Sequence, residues 1–422
     1  MARHGARGII CSVTSSSTRW LLLWLIALGS AASLLSLIDI GLQINVGHPG
    51  TIDFVQYWAA FQLLTEGRNP YEAEAMHAIQ LTVGQSTALT TLMWNPPWTP
   101  ILLAPLLFLP FPSAVVLWFI FSILCLSFIA LALPRALGQP APPLLVRALA
   151  VSAFLPVVDN LAFGQIALPL TAALVGTLSL IATKRYFLAG LTATVLTIKP
   201  HLLLLLIIPL LISLKEAPRQ IGGRALLGFL VGGGTLLGVM LLIASDALQW
   251  WLNAFISSPT SPGATSTAEW KTAALVTVVR ELIAEPGQIP PRWPFLVVPG
   301  CALLLSGFLF LRGSRTLQLT KLLPPLLCLS LMFAPYAWLY DQSLLVICQL
   351  DITTRWWWKR GNRNLDLAMR GLVLVQLAAF TQPLIFSGSQ DSFFWLPCAM
   401  LALWSISVLG DSLLPTARPI SR

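Results

Sequence analysis

A single acid opens one unusual segment of the chain. Asp53 stands at the head of the aromatic-rich stretch DFVQYWAAFQLLTEGRNPY, which follows a long apolar run. A carboxylate in a partly desolvated cleft can be tuned to accept a proton from a hydroxyl group. The same side chain can also cap the helix that the following residues predict. The sequence supports both roles, general base and helix cap, and the two are compatible.

Basic residues lie in two other polar motifs. Lys199 and His201 flank Pro200 at the head of an apolar run, and Arg68 lies in the motif EGRNPY. A cation and a titratable donor beside first-turn backbone N–H groups suit a phosphate. Each residue also has an ordinary interpretation, since Lys199 can extend its amine to the interface and Arg68 can form a salt bridge within its own loop. The phosphate-binding hypothesis covers Lys199, His201 and Arg68.

A further group of polar and aromatic residues is suited to contact a substrate. They lie in or near the motifs EGRNPY (66–71), NPP (95–97), DNLAFGQ (159–165) and PYAWLYDQ (335–342), which the predicted topology brings to one depth on the outer face. Such side chains bind hydroxylated ligands, but they also tie membrane helices together, and Trp and Tyr anchor helices at interfaces. The predicted substrate contacts are Tyr57, Trp58, Asn69, Tyr71, Asn95, Asn160, Gln165, Tyr336, Asp341 and Gln342. We therefore predict one cleft at the outer boundary.

The composition indicates that these residues belong to a membrane protein. Of the 422 residues, 56% are hydrophobic and 10% are charged, and the mean hydropathy is +0.80. A soluble domain has about 45–50% apolar and about 25% charged residues. We therefore predict an all-α polytopic membrane protein. The net charge of +9 does not indicate nucleic-acid binding, because the basic residues are scattered between apolar runs rather than gathered on one face.

Cysteines and histidines do not predict a metal centre. The six cysteines form no CxxC pair and mostly fall in or beside apolar runs, and the four histidines are scattered. No cofactor is predicted. The only acidic arrangement that would hold a divalent metal, and then weakly, is Asp53 with an acid from an outer loop.

The apolar runs predict a single membrane domain over residues 1–422, with about 12 transmembrane helices in a range of about 10–13. They lie at 20–41, 113–133, 144–158, 164–182, 186–198, 200–214, 225–244, 295–311, 322–340, 342–353, 371–389 and 392–411. The first run has the length of an uncleaved span rather than of a signal peptide. The run at 98–109 is short, and we predict a re-entrant or interfacial helix there.

The distribution of charge orients this bundle. With the N-terminus in the cytoplasm, most of the 25 Lys and Arg residues fall inside and most of the 16 acids fall outside, as the positive-inside rule requires. Both termini are then cytoplasmic, provided that 98–109 does not cross. Two long segments, 42–97 and 245–294, lie outside. The first has apolar residues at helical spacing and predicts a helix lying on the membrane surface.

With these residues assembled, the chain resembles the polyprenol-phosphate-sugar-dependent glycosyltransferases of family 87. This is a group of multi-span GT-C enzymes that includes bacterial polyprenol-phosphate-mannose-dependent α-mannosyltransferases. The matching pieces lie at 53–71, 95–97, 164–174, 189–205 and 335–345, in family order. The first and fourth are fairly specific together, whereas the segment 245–294 and the C-terminal spans match only in hydropathy.

The resemblance implies an inverting transfer of a hexose, with mannose favoured, from a polyprenyl-phosphate donor to an acceptor hydroxyl on the outer face of the cell membrane. Asp53 would deprotonate the acceptor, and Lys199, His201 and Arg68 would stabilise the leaving phosphate. Such a reaction needs one base rather than the carboxylate pair of a retaining hydrolase. The implied partners are the donor lipid, a lipid or glycan acceptor and the bilayer, without nucleic acid or nucleotide.

Two other functions compete with this interpretation. A transporter or flippase of lipid-linked sugars predicts internal repeats and charged residues at mid-membrane, and the sequence shows no clear repeat and few such charges. A ligase or polymerase of envelope polysaccharide would use the same outer cleft. The sequence therefore distinguishes it poorly from a transferase.

Overall fold

A computed structural model describes the chain over residues 53–85, 90–216, 219–257, 271–285, 291, 293–312, 319–359, 361–385 and 390–412. The predicted first span at 20–41 lies outside the described residues, as do parts of both long outer segments. Within the described residues the structure is helical and contains no strand. The predicted all-α class is therefore confirmed.

Seventeen α-helices are described, and four short 3-10 helices interrupt or extend them. The α-helices are α1 Phe54–Thr65, α2 Ala73–Leu81, α3 Trp98–Leu107, α4 Phe111–Ala136, α5 Leu144–Ser152, α6 Leu155–Phe163, α7 Ala167–Ala182, α8 Tyr186–Ala193, α9 Leu204–Glu216, α10 Arg219–Ile243, α11 Ala247–Ser257, α12 Leu275–Ile283, α13 Pro294–Arg312, α14 Leu319–Phe333, α15 Val346–Trp358, α16 Arg363–Ile385 and α17 Trp395–Ser412. The 3-10 helices are Thr194–Ile198, Pro200–Leu203, Leu339–Leu345 and Gln390–Phe394.

Three of the described helical stretches are long and apolar enough to cross a membrane alone. They are Phe111–Ala136, Ile221–Ile243 and Ser392–Leu409. Two bent pairs raise the number to five if each pair forms one span: α5 with α6, bent by 67°, and Tyr186–Ile198 with Pro200–Leu210, bent by 115°. By length and composition, three to five of the described segments can therefore span a membrane, and the count of about 12 spans stays a prediction.

The two bends lie beside the polar motifs. The sharper one falls at Lys199, whose backbone leaves helical geometry (φ −134°, ψ 65°) just before Pro200. Proline removes an N–H donor and disfavours helical geometry in the residue before it. Broken helices at membrane depth are tolerated where protein rather than lipid surrounds them. The break therefore places the polar side chain of Lys199 inside the fold.

Helix α1 forms where the periodicity predicts it, but it does not lie on a surface. Nine of its twelve residues are buried, and Thr65 at its C-terminal end is exposed. Helices α3 and α4 pack against it, and Trp118 of α4 contacts Phe54 with ring centroids 5.1 Å apart. A helix that is apolar on most sides is stable when protein encloses it. The expected surface helix is thus an enclosed one.

Helix α3 is too short to cross a bilayer alone. Its ten residues, Trp98–Leu107, span about 15 Å at ~1.5 Å per residue, about half of the hydrocarbon thickness. Pro105 lies inside it. This length favours the predicted re-entrant or interfacial helix at 98–109.

Helices α8 and α10 approach until their backbones touch, and glycine permits it. A Cβ on Gly190 would lie 1.8 Å from the carbonyl oxygen of Ala225, and one on Gly228 would lie 2.0 Å from that of Phe187. Small residues allow such contacts between membrane helices, where packing rather than hydrophobic burial drives association.

Gly190→Ala is therefore expected to lower the free energy of unfolding by about 1–3 kcal/mol, because a backbone carbonyl cannot move aside as a side chain can. Gly234→Ala on α10 is the matched control, since its Cβ would meet nothing within 4 Å and alanine favours a helix. Thermal unfolding of the purified protein in detergent measures both. Equal melting temperatures for the native protein and Gly190→Ala would contradict the close approach.

Candidate active site

Asp53 lies immediately before α1, and its side chain does not cap that helix. The position has helical geometry (φ −61°, ψ −17°) and makes no side-chain cap hydrogen bond. The first turn is closed by the backbone, where Gln56 N–H donates to the Asp53 carbonyl over 3.0 Å. The carboxylate instead accepts a 2.6 Å hydrogen bond from Gln165 Nε2, so that Oδ2 is held by a residue 112 positions away. This geometry leaves the carboxylate available for chemistry.

A glycine brings Gln165 to that carboxylate. Gly164 ends α6 in the left-handed conformation (φ +65°), which a residue with a Cβ rarely adopts. A Cβ at this position would also lie 2.9 Å from Cβ of Phe54, the first residue of α1. The Gly164 carbonyl accepts a 2.8 Å hydrogen bond from Trp118 Nε1. The turn is thus fixed from both sides and directs Gln165 towards Asp53.

Gln165 links Asp53 to a second part of the site. Its Oε1 accepts a 3.0 Å hydrogen bond from the Tyr57 hydroxyl and lies 3.5 Å from Lys199 Nζ. Burial raises the pKa of Tyr57 well above its usual value, and nearby Asp53 and Asp341 add to this, so the phenol stays protonated and donates. Because Gln165 Oε1 faces the Tyr57 hydroxyl and the Lys199 amine, the amide nitrogen of Gln165 faces Asp53.

Lys199 and Asp341 form a buried ion pair. Nζ lies 2.7 Å from Asp341 Oδ1, and the residues are 5% and 0% exposed. The other carboxylate oxygen accepts a 3.2 Å hydrogen bond from the Trp338 backbone N–H, and Lys199 Nζ lies 5.1 Å from the ring centroid of Tyr340. Such burial does not fit a lysine that extends its amine to the interface. Lys199 is therefore an interior cation whose charge is balanced by Asp341.

The surroundings of Asp53 change the pKa of its carboxyl group. Burial raises its pKa to about 6. The Gln165 hydrogen bond and the positive charge of Lys199 oppose the rise, and the negative charge of Asp341 adds to it. A carboxylate with this pKa is ionised at neutral pH and is a stronger base than an ordinary aspartate.

A pH–rate profile tests this base. Because only ionised Asp53 can accept a proton, kcat/KM for a reaction that needs it should be constant above about pH 7 and fall about tenfold per pH unit below the pKa of about 6. The measurement is initial rate against pH on the purified native protein. A constant kcat/KM down to pH 4.5 would show that the pKa of Asp53 does not control the reaction.

His201 and Tyr336 lie together beside the bend. Their ring centroids are 4.1 Å apart at an interplanar angle of 36°. The His201 Nε2 atom is buried and has no hydrogen-bond partner in the described part of the chain. Lys199 interacts electrostatically with His201, and Asp341 interacts electrostatically with Tyr336. Both predicted residues therefore adjoin the ion pair.

Asn69, Tyr71 and Asn95, three predicted residues of the segment 42–97, hold this loop rather than contact Asp53. The Tyr71 backbone N–H donates to Asn69 Oδ1 over 3.0 Å, and the Tyr71 hydroxyl donates to the Asn95 carbonyl over 2.9 Å. Asn95 Nδ2 in turn donates over 3.4 Å to the carbonyl of Ile198, the residue before Lys199. The loop is thereby tied to the bend that positions the buried cation.

Arg68 and Trp58 have contacts away from the ion pair. Arg68 Nη1 lies 3.0 Å from Glu66 Oε2, and both side chains are about half exposed (48% and 51%). Trp58 Nε1 donates to the Leu109 carbonyl over 3.0 Å, and its ring packs against Phe111. Arg68 therefore forms the loop salt bridge of its ordinary interpretation, and Trp58 packs against protein.

The amides of Asn160 and Gln342 connect segments around the site. Asn160 Nδ2 donates to the Tyr340 carbonyl over 3.4 Å. Gln342 Nε2 donates over 3.2 Å to the carbonyls of Ala273 and Phe393, and so links two distant segments to the Leu339–Leu345 helix. Among the described residues, no group of three His, Cys, Asp or Glu side chains is arranged to hold a metal ion.

Sequence reasoning missed two contributors to this geometry. The role of Gly164 was visible as a glycine directly after a helical segment, the usual signal of a left-handed C-cap. Tyr340, whose ring lies over Lys199, gave no such signal, because an aromatic residue near a membrane span normally indicates an interfacial anchor.

The structure is thus an apolar helical protein in which an amide, Gln165, joins a partly buried acid, Asp53, to a buried ion pair. The model of glycosyltransferase family 87 matches residues 94–335, which is more than half of the chain. The chain therefore belongs to glycosyltransferase family 87, and it is a membrane glycosyltransferase. The match includes Gln165 and Lys199 and excludes Asp53 and Asp341. No curated protein and no solved structure matches the chain.

Proposed function

We propose that this glycosyltransferase moves a hexose, with mannose favoured, from a polyprenyl-phosphate donor to an acceptor hydroxyl with inversion at the anomeric carbon. The observation that supports it best is Asp53. Its carboxylate makes no cap hydrogen bond, is oriented by Gln165 and lies next to the buried Lys199–Asp341 pair. A base and a cation held near each other are the two groups that an inverting transfer with a phosphate leaving group requires.

The proposed reaction proceeds in one displacement. The acceptor oxygen forms a bond to the anomeric carbon while the bond from that carbon to the phosphate oxygen breaks. Asp53 takes the proton of the acceptor hydroxyl, and the leaving polyprenyl phosphate takes the electron pair. Gln165 keeps Asp53 in place through one carboxylate oxygen. The second oxygen is the one that we assign to the proton.

Lys199 and His201 are the groups proposed to receive the charge of the leaving phosphate. Lys199 brings a buried cation, and His201 brings a buried ring nitrogen that can donate a hydrogen bond in one of its tautomers. Fixed donors aimed at developing charge act strongly where water is excluded. Arg68 is paired with Glu66 at the exposed rim. It would have to leave that partner to contact a phosphate, and we give it a secondary role in donor binding.

The proposed setting is the outer face of the cell membrane, with both termini in the cytoplasm and a lipid or glycan as acceptor. A lipid-linked donor suits a site placed beside broken apolar helices, because the carrier lipid can stay in the bilayer while the sugar reaches the polar cluster. Family membership favours transfer over transport or flipping. A ligase or polymerase of envelope polysaccharide would share this chemistry and would differ in its acceptor.

The test is the stereochemistry and the sugar preference of the product. The purified chain is given a panel of polyprenyl-phosphate hexoses of defined anomeric configuration, and the product linkage is determined by NMR. We expect transfer from the mannose donor, with the product configuration opposite to that of the donor. A retained configuration would contradict a single displacement with Asp53 as base, and preference for another hexose would replace mannose.

A further inference from the structure

Two neighbouring oxygen atoms in the site are buried without hydrogen-bond donors. They are Oδ2 of Asp159 and Oδ1 of Asn160, and neither has a partner within the described residues. Asn160 is 1% exposed. Burial of an acceptor without a donor costs free energy, and native proteins rarely leave such atoms unpaired. The proposed transfer does not use Asp159.

Both side chains face the part of the site that carries Asp341. Asn160 Nδ2 donates to the Tyr340 carbonyl, and Phe163 lies with its ring centroid 6.2 Å from that of Tyr340. Asp159 is one helical turn before Phe163 and so shares its side of α6. Asp159 also interacts electrostatically with Asp53 and Asp341. The two free oxygens therefore lie on the wall of the site already described.

The chemistry of the two atoms selects a ligand class. A carboxyl oxygen and an amide oxygen both accept hydrogen bonds from hydroxyl groups. A phosphate fits this wall poorly, because its oxygens are acceptors and Asn160 Oδ1 cannot donate to them. A sugar ring offers several neutral hydroxyl groups, which can donate hydrogen bonds to such acceptors.

We propose that Asp159 and Asn160 bind two hydroxyl groups, a diol, of a hexose ring. This inference rests on the proposed function for the identity of the ligand as a hexose. The diol can belong to the sugar of the donor or to a sugar of the acceptor. A site built to hydrogen-bond a hydroxyl discriminates strongly against an analogue that lacks it.

Binding measurements on the full-length protein in detergent test the diol site without requiring transfer. The probes are short-chain polyprenyl-phosphate mannose for the donor sugar and octyl mannoside for the acceptor sugar, each beside analogues that lack one ring hydroxyl. The variants are Asp159→Leu and the milder Asp159→Asn. Asp246→Leu is the matched control, because Asp246 is exposed and is not part of the cluster.

For one of the two probes, we expect the native protein to bind the hydroxylated form about 10- to 100-fold more tightly than one deoxy analogue. Asp159→Leu should remove that preference and Asp159→Asn should reduce it, whereas Asp246→Leu should keep it. The probe that shows the effect identifies the source of the diol. Equal binding of all analogues by the native protein, which needs no variant to fold, would overturn the inference, as would a preference that survives Asp159→Leu.

Failure of the diol site and failure of the proposed transfer remain distinguishable. If the native protein transfers no sugar, but Asp159→Leu abolishes the preference for the hydroxylated probe, the diol site is supported and the proposed reaction is not. If Asp159→Leu transfers sugar normally and still prefers the hydroxylated probe, the reaction is supported and the diol site is not.

Discussion

Asp53→Asn is expected to reduce sugar transfer by about 100- to 10⁴-fold, the usual contribution of a general base. Asparagine keeps the size of the side chain and can still accept the hydrogen bond that Gln165 donates to Asp53. It cannot take a proton from an acceptor hydroxyl. The measurement is kcat/KM for transfer by the purified variant beside the native protein.

The same substitution should not destabilise the fold. Because burial raises the pKa of Asp53 to about 6, its contribution to stability is present at low pH and lost as the pH rises through that value. At neutral pH the native charge opposes folding, so the melting temperature of Asp53→Asn should equal or exceed that of the native protein. Glu66→Gln, in the exposed pair with Arg68, is the control and should transfer sugar normally. Equal activity of native protein and Asp53→Asn would exclude Asp53 as the base.

Lys199→Met is expected to give the second large effect, on both stability and activity. Removing one partner of a buried ion pair costs about 3–5 kcal/mol, and here it leaves the fully buried Asp341 without its cation. Lys199 also lowers the pKa of Asp53, so its loss should move the acid limb of the pH–rate profile to higher pH. Thermal unfolding and the pH dependence of kcat/KM measure the two effects.

The double variant Lys199→Met/Asp341→Asn separates folding from catalysis. Asparagine at 341 removes the orphaned charge and can still accept the hydrogen bond that the Trp338 N–H donates. We expect it to recover most of the lost stability, because a buried pair can often be replaced as a unit at little cost. Transfer should stay low, since no cation faces the leaving phosphate. Native activity in the double variant would make the pair purely structural.

The sequence predicted the helical class because that class depends on local signals. Composition and long apolar runs define membrane helices, and the apolar spacing after Asp53 predicted α1 from Phe54. What the spacing did not reveal is that α3 and α4 cover this helix. Whether an apolar helix lies on a bilayer or inside the protein depends on neighbours far along the chain, and periodicity carries no information about them.

The polar set was predicted as a group, but its pairings were not. Gln165, Lys199 and Asp341 come from three distant segments, and the structure joins them by direct contacts. Arg68, which belongs to the same set by residue type, instead pairs with Glu66. The difference arises at the sharp bend before Pro200, which turns Lys199 inward. A proline motif indicates that a helix breaks, but not the direction in which the next side chain points.

The most direct test of the account is transfer of labelled mannose by the purified chain from two donors, polyprenyl-phosphate mannose and a nucleotide-linked mannose, to a glycolipid or glycan acceptor fraction. The account predicts label in the product only with the lipid-linked donor, and none when Asp53→Asn replaces the native chain. Transfer from the nucleotide donor, or undiminished transfer by Asp53→Asn, would contradict it.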